Sequence, residues 1–397
     1  MSEIPVVLSF EGEAARLEES TSVAYAKRLA SRGWRVTLLS LERGSADVAT
    51  LAGNLVEAGV AWSLVPRPPA AGGLTCARFV LDGSRRLPRP AVVHARGCLS
   101  AAMAALAGVP YVLDLPGFFV DQRIEAGLWR ARGPRAGLGR RLERTLLTRA
   151  RHVIAPSERA AADLAGGHLG VRLDPARVSV IEGAVDLDLY RPDAAVDAVA
   201  AGLLADAGRR TLLVAGSPGR LEDRAAVLAL ARATMALDAS FHLLVVRFAG
   251  EAGVDLDLQT WRSEATAQGL GAEFVTTAAV SERCLPGLLV GSSAAVVLRQ
   301  RGFSSRAVSP VLATRALATG KAVVVSPGLG DVSDLVARRG LGVVVGAEPG
   351  DTARRAGELL DLLAEEDLYA RCRAAAVRHY ALSTAVARLE ALYRDAS

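Results

Sequence analysis

Uninterrupted apolar runs of strand length recur along this chain, and the segments between them repeat their apolar positions with helical spacing. In the first half the strand-like runs are Val6–Leu8, Arg35–Leu39, Trp62–Val65, Val92–His94, Tyr111–Leu113, His152–Ile154 and Val178–Ile181. Helical patterning falls at Ser20–Ser31, Ser45–Ala58, Cys98–Ala107 and Leu138–Ala150. The second half repeats the alternation. Its strands are predicted at Thr211–Val214, His242–Val246, Glu273–Thr276, Ala294–Leu298, Ala322–Val325 and Leu341–Val344. Its helices are predicted at Asp223–Met235, Leu258–Gln268, Ser281–Leu289, Ser309–Thr319 and Thr352–Leu363. Strands that alternate with helices in this way imply a largely parallel, doubly wound sheet.

The segment Asp188–Ala207, with Arg191-Pro192, is the expected joint between the halves. The predicted class is α/β, with two Rossmann-like doubly wound domains facing a central cleft at the C-terminal ends of their strands. The expected division is residues 1–190, residues 191–375, and a closing helix over 376–397 that crosses back to the N-terminal domain.

Composition narrows the setting. A chain of 397 residues that is 51% hydrophobic has material for two ordinary cores. The bulk of Ala, Leu, Val, Gly and Arg has the look of a GC-rich bacterial genome. Cys76, Cys98, Cys284 and Cys372 are scattered without metal-ligand spacing, which argues against a zinc site or disulfide framework and for a reducing, cytoplasmic setting. The N-terminal residues lack the basic and apolar regions of a signal peptide, and no apolar run reaches membrane-spanning length. The net charge of +5 is concentrated: residues 123–151 hold nine arginines against two glutamates. That stretch reads either as a solvated helical face or as a surface for an anionic membrane or acidic acceptor. Nucleic acid is disfavoured, because no aromatic residues are interleaved to stack bases.

Four local features carry candidate chemistry. Leu213–Arg220, LVAGSPGR, runs from a strand into a glycine-containing turn before a helix. Its backbone amides, with Arg220 or Arg224, suit a diphosphate; the plain alternative is a tight turn. Val92–Gly97, VVHARG, places His94 and Arg96 at the end of a buried strand. Arg96 suits a forked grip on phosphate or carboxylate, and His94 is either a catalyst or a structural histidine. In Asp114–Gln122, DLPGFFVDQ, Asp114 and Asp121 flank an apolar loop that includes Gly117. Either carboxylate could orient hydroxyls or act as a base, and capping is the alternative for Asp114. Last, Ser309–Val325, SPVLATRALATGKAVVV, reads as a helix with Ser309 as N-cap, Pro310 at its start and Gly320 ending it in the left-handed conformation. A flexible basic loop, Arg299–Arg306, precedes it. No Walker loop, serine triad, zinc motif or G-x-G-x-x-G fingerprint is present.

Taken in order, these segments resemble the retaining family 4 glycosyltransferases of GT-B fold, with a degenerate donor-site motif. Ser20–Gly33 is similar to S-Q-V-x-x-Y-x-x-x-L-x-x-R-G, with Thr21 and Ser22 replacing Gln and Val. Val93–Arg96 resembles I-H-A-R, and Val112–Trp129 resembles V-F-D-x-R-G-F-W-x-D-E-R-x-x-G-x-W. Val153–Ser157 matches V-I-x-x-S, and Ile181–Pro192 resembles I-P-x-x-V-D-x-x-x-F-x-P. Gly216-Ser217 fits the first phosphate loop of the second domain, with Gly219 beside it. Ser309–Val324 resembles S-P-x-K-x-x-E-Y-M-A-x-G-K-P-V-V, and His379–Tyr393 the closing helix. The chain departs from the pattern at Leu312 for Lys, Arg315 for the ribose-binding carboxylate, Pro116 for Arg and Gln122 for Glu.

The resemblance implies transfer of a sugar from a nucleotide-sugar donor with retention, without a metal or other cofactor, because cationic groups and a helix N-terminus offset the diphosphate's charge. It puts Gly216, Ser217, Gly219, Arg220, Arg224, Ser309 and Arg315 around the donor. Arg96, Gly117 and Gln122 fall on the acceptor side, with Asp114, His94 and Asp121 as catalytic candidates. The acceptor would be a small molecule or a glycan- or lipid-linked one, in bacterial natural-product or surface-glycan biosynthesis. An arginine at 315 cannot accept hydroxyl hydrogen bonds but can pair with phosphate, and Arg299, Arg301 and Arg306 could supply the charge that Leu312 does not. The alternative is a catalytically degenerate homologue, serving as partner or scaffold subunit, or a coupling enzyme with a non-standard donor. A homodimer and weak peripheral membrane contact stay open at this level.

Overall fold

The computed structural model describes residues 6–11, 20–42, 48–66, 73–87, 92–205, 210–251, 253–346 and 350–396. The chain forms two compact units, Met1–Glu182 with Leu382–Ser397, and Gly183–Ala381.

The first unit holds β1 (Val6–Glu11), α1 (Thr21–Ser31), β2 (Val36–Glu42), α2 (Val48–Glu57), β3 (Val60–Pro66), α3 (Gly73–Arg86), β4 (Val92–Arg96), α4 (Cys98–Ala107), β5 (Tyr111–Asp114), α5 (Phe119–Glu125), α6 (Pro134–Arg149), β6 (His152–Ala155), α7 (Glu158–Gly166) and β7 (Val178–Val180). Its strands pair in the order β3-β2-β1-β4-β5-β6-β7, every pair parallel. The continuous apolar strands follow from this, since a parallel sheet is covered by helices on both faces. All four residues of β5 and the first four of β4 are buried. The helix α1 begins where the Ser20 hydroxyl accepts from the Val23 amide at 3.2 Å, and it buries Val23, Tyr25, Ala26 and Leu29 along one face. Burial of a side chain such as Leu29 stabilises by about 2 kcal/mol.

The second unit holds α8 (Ala198–Leu204), β8 (Arg210–Gly216), α9 (Arg224–Leu237), β9 (Phe241–Phe248), α10 (Val254–Ala267), β10 (Val275–Val280), α11 (Leu285–Gly291), β11 (Ala294–Val297), α12 (Val311–Ala318), β12 (Ala322–Val325), α13 (Val332–Arg339), β13 (Gly342–Val344), α14 (Asp351–Leu363) and α15 (Leu368–His379). Strand order is β10-β9-β8-β11-β12-β13, again all parallel. Gly342 is fixed by a close approach: a Cβ there would lie 1.8 Å from the Val323 carbonyl oxygen, at φ +153°. The last helix, α16 (Leu382–Ala396), belongs to the first unit and packs on α1.

The division falls at Glu182/Gly183 rather than after residue 190, and at Ala381/Leu382 rather than after 375. Two contacts explain the shift. The Val185 amide donates to the Tyr380 carbonyl at 2.8 Å, and Tyr190 is buried in the second unit's core. The Arg373 guanidinium also donates to the carbonyls of Leu187 and Tyr190. Within the expected joint, Ala198–Leu204 is a helix capped by Asp197, and residues 206–209 lie outside the described residues. The same holds for residues 45–47, the start of the expected second helix.

Three local expectations are corrected. Phe119–Glu125 is a helix, not an apolar loop. Phe303–Ala307 is a 3-10 turn with Ser304 and Ser305 buried, inside the segment expected as a flexible loop. Ser309 does not cap α12: Pro310 takes that position, and the Ser309 hydroxyl accepts from the Gly183 amide at 2.6 Å. Gly320 does end that helical segment, at φ +78°. Among the described residues no helix is long and apolar enough to cross a membrane.

Candidate functional site

Each sheet reverses its strand order beside its first strand, at β1/β4 in the first unit and β8/β11 in the second. Loops at the carboxyl ends of strands beside such a reversal form the crevice where open α/β sheets bind ligands.

In the first unit, alternation along β4 puts His94 and Arg96 on one face, two residues apart. The parallel register sets Arg96 directly opposite Asp114 of β5. The result is a buried polar chain. The Arg96 guanidinium donates to Asp114 Oδ2 at 2.5 Å, and His94 Nε2 lies 3.1 Å from the same oxygen. His94 Nδ1 lies 2.7 Å from the Tyr393 hydroxyl of α16. The carboxylate only accepts, so Nε2 carries a proton; in the neutral imidazole Nδ1 then accepts from Tyr393. Tyr25 and Tyr393 wall the imidazole, with ring centroids 6.3 and 6.0 Å away. Burial alone would raise the Asp114 carboxyl, but the Arg96 charge and the His94 hydrogen bond outweigh it and hold it at about 2. Burial pushes the Tyr25 and Tyr393 phenols up, and the Asp114 charge adds to this.

These contacts show how the three catalytic candidates are held. His94 is 2% exposed, both ring nitrogens are engaged, and it acts through its neighbours. Asp114 anchors Arg96, and its lowered carboxyl keeps it ionised near neutrality. Asp121 stands in the first turn of α5, gripped in a fork by Arg140 of α6, one contact measuring 2.7 Å. Glu143 completes this staple by accepting the Val120 amide at 3.0 Å, and burial raises its carboxyl.

The acceptor-side candidates do come together. A pocket of about 210 Å³ is lined by Arg96, Gly97, Cys98, Leu115, Pro116, Gly117, Phe119, Gln122 and Arg123. Neither Phe119 nor Arg123 was singled out from sequence, because the helix that presents them read as a loop. The Arg123 guanidinium lies over the Phe119 ring at 3.8 Å and 5.5 Å from the Trp129 ring.

In the second unit, Gly216 ends β8 opposite Arg247 of β9, and the position of a Cβ there is open. The turn that follows is pinned by backbone bonds from Asp223 to Leu298 at 3.0 Å and from Gln300 to Leu221 at 2.8 Å. Ser217 and Gly219 lie in this turn, and Arg220 is exposed at its tip. Arg224 points elsewhere: it pairs with Asp257 and stands 3.6 Å from Glu264. The α9 N-terminus is also spoken for, since Asp223 accepts from the Ala226 amide at 3.1 Å. Beneath the turn, fully buried Arg247 donates to Asp257 at 2.7 Å and to Glu222. An arginine closing an otherwise apolar strand run, FHLLVVRF, was the available signal for this cluster.

Arg315 sits in the last turn of α12, 2.8 Å from Glu282 and 4.8 Å from the Tyr190 ring centre. Its side chain is 10% exposed, so the position is an internal ion pair rather than an open contact. Among the described flanking arginines, Arg299 is tied down, its amide donating to Ser326 at 2.7 Å, whereas Arg301 is exposed. Cys98, Cys284 and Cys372 are buried free thiols.

Two parallel doubly wound units with these strand orders match solved structures of GT-B fold. HepE of Anabaena, in complex with UDP and glucose, aligns with 99% of this chain and 100% of its own at 15% identity, with a TM-score of 0.69. Sucrose-phosphate synthase from Thermosynechococcus elongatus aligns over 99% of each chain at 17% identity, TM-score 0.71. WaaG, a glycosyltransferase involved in lipopolysaccharide biosynthesis, aligns over 96% of this chain and 98% of its own at 12% identity, TM-score 0.66. No curated protein sequence matches significantly. Residues 19–189 match Glycosyltransferase Family 4. The chain thus shares the GT-B fold of these structures, and its residues 19–189 are similar to Glycosyltransferase Family 4.

Proposed function

We propose that this protein is a family 4 glycosyltransferase, which transfers a sugar from a nucleotide-sugar donor held by the second unit to an acceptor held by the first, with retention at the anomeric carbon and without a metal. The observation that carries the reading is the open turn at Gly216–Arg220, beside the strand-order reversal of the second sheet. Backbone amides there, with exposed Arg220, suit a diphosphate. The similarity to HepE with UDP and glucose supports the same assignment. In this reading the bond from the anomeric carbon to the diphosphate breaks and the acceptor oxygen bonds on the same face. The acceptor proton passes to the leaving phosphate oxygen, which is why neither Asp114 nor His94 is needed as a base. Arg220 and the turn amides stabilise the charge that develops on the diphosphate. The cytoplasm is the proposed compartment, and bacterial glycan or natural-product assembly the proposed context.

Thermal-shift titration with UDP, GDP, dTDP and ADP tests the donor: one nucleotide should stabilise the protein, Arg220→Met should weaken that effect about tenfold, and EDTA should leave turnover unchanged. Absence of stabilisation by all four nucleotides would sink the reading. A second reading, a partner or scaffold subunit without transfer activity, is favoured by one contact, the internal Arg315–Glu282 pair. Nucleotide binding separates the two, since a scaffold without a donor site gives no nucleotide affinity for Arg315→Ala to keep. On the donor reading nucleotide affinity is kept and only stability falls, because Glu282 loses its partner.

A further inference from the structure

We propose that the first unit docks on an anionic lipid surface through the outward face of α6 and the loop before it, residues 127–133, with leucines entering the lipid boundary and arginines on the headgroup phosphates. Docking of this kind needs neither donor nor acceptor, so it stands apart from the transfer reading. The charge of this face is unbalanced. On α6, Arg135, Arg141, Arg144 and Arg149 are exposed, and Arg130 and Arg132 stand exposed in the loop. Glu143 is the single acidic residue between 127 and 151. It is buried and engaged inward, with Arg140 and the Val120 amide. A helix that needs only solubility mixes both signs and gains from oppositely charged pairs one turn apart, whereas the outward face of α6 carries no carboxylate.

The same face carries apolar side chains that the fold leaves in water. Leu138 is 71% exposed and Leu142 39%, one helical turn apart, and Leu128 in the loop is 49% exposed. They cannot be turned inward, because the opposite face is already seated, with Ala136, Gly139, Leu146 and Leu147 buried. A Cβ at Gly139 would lie 2.8 Å from the Trp129 ring and 2.9 Å from Val120 Cγ2, so α6 has no room to roll. The Thr145 and Thr148 hydroxyls donate to carbonyls one turn back, at 2.9 and 2.7 Å, which leaves arginine as the main polar chemistry of the face. With 16 residues, α6 is about 24 Å long and lies along the surface it presents. Leucine beside arginine fits the boundary between headgroups and acyl chains. Leucine enters the apolar side, while the arginine stem lies along it and the guanidinium pairs with phosphate in a fork. A nucleic acid would use the charge and leave the leucines in water. Trp129, the one aromatic residue between 127 and 151, is half-buried and edge-on to Phe119 at 5.7 Å, so it does not offer a face for a base. Leucines flanked by arginines, with no exposed aromatic among them, also lack the apolar centre of a stable protein interface.

Vesicle flotation of the full chain tests this, with phosphatidylcholine alone against phosphatidylcholine containing about one-third phosphatidylglycerol. The mixed vesicles should carry the protein, the neutral ones should not, and added salt should weaken the binding. Arg132→Gln, Arg135→Gln and Arg141→Gln combined should weaken it about a hundredfold. Leu138→Ser with Leu142→Ser leaves every charge in place and should weaken it about tenfold. All the substituted side chains are exposed, so both variants should keep the wild-type circular dichroism spectrum, and either one carries the test if the other fails to fold. The proposal is overturned if the mixed vesicles carry no protein, if neutral vesicles bind equally well, or if the arginine variant binds as the wild type does. Lipid binding that ignores the leucine variant would also overturn it, because the face would then read charge alone. Binding of a single-stranded oligonucleotide that matches the vesicles in strength and is unchanged in the leucine variant would assign the face to nucleic acid instead.

Discussion

At the scale of single residues, Asp114 is the most consequential group. Its carboxyl is held at about 2 against an ordinary 3.8, so the unfolded chain binds its proton more tightly than the folded one. The sign follows: the contribution is fully present above about pH 4 and is lost as the pH falls toward 2, amounting to roughly 2 kcal/mol. Denaturant titrations of the wild type across this window should show the loss, and Asp114→Asn should flatten it. Near neutrality the same variant should cost about 3 kcal/mol, because Arg96 keeps its charge while losing its anion. Wild-type stability that is level between pH 4 and 2 would remove the argument. Gly342 makes a different kind of residue-scale statement. Alanine there meets backbone, not a side chain that could rotate away, so Gly342→Ala should lower unfolding free energy by roughly 3 kcal/mol in chemical denaturation.

At the scale of elements, α16 couples the end of the chain to the first unit. Leu389 and Tyr393 are fully buried, and Glu390 accepts from the Trp34 indole at 2.9 Å. Tyr393→Phe keeps the ring packing but removes the donor to His94, and should cost about 1–2 kcal/mol. The elements were largely legible beforehand, because strands buried on both faces leave uninterrupted apolar runs such as Ala322–Val325. Strand residues two apart, as in His94 and Arg96, also announced a shared face. Helix α5 was not legible: its seven residues follow a Pro-Gly pair and its cap, Phe118, offers no side-chain oxygen. Ser309 misled for the opposite reason. It has the chemistry of a cap, but the Gly183 amide, distant in sequence, competes for its hydroxyl. Tyr393 lies 299 residues from His94, and the internal pair of Arg315 depends on Glu282 arriving from another element. No local pattern encodes such partners.

At the scale of the whole molecule, the second unit is one continuous stretch, Gly183–Ala381, whereas the first is interrupted by it. Expressed alone, residues 183–381 should give a cooperative thermal transition, since their core is contained within the fragment. Residues 1–182 alone should not, lacking the α16 surface that covers α1, and adding a 382–396 peptide should restore a folded circular dichroism signature. A cooperative melt of 1–182 without the peptide would contradict this. The interrupted unit also has a consequence for how the protein is made. During translation residues 1–182 emerge before the second unit, yet they wait, unsealed, until that unit has been synthesised and α16 leaves the ribosome. Tyr393 is made long after His94, so Arg96 acquires its full support only once α16 has been synthesised. Synthesis that halts before α16 therefore leaves the second unit complete but Arg96 of the first without its full support.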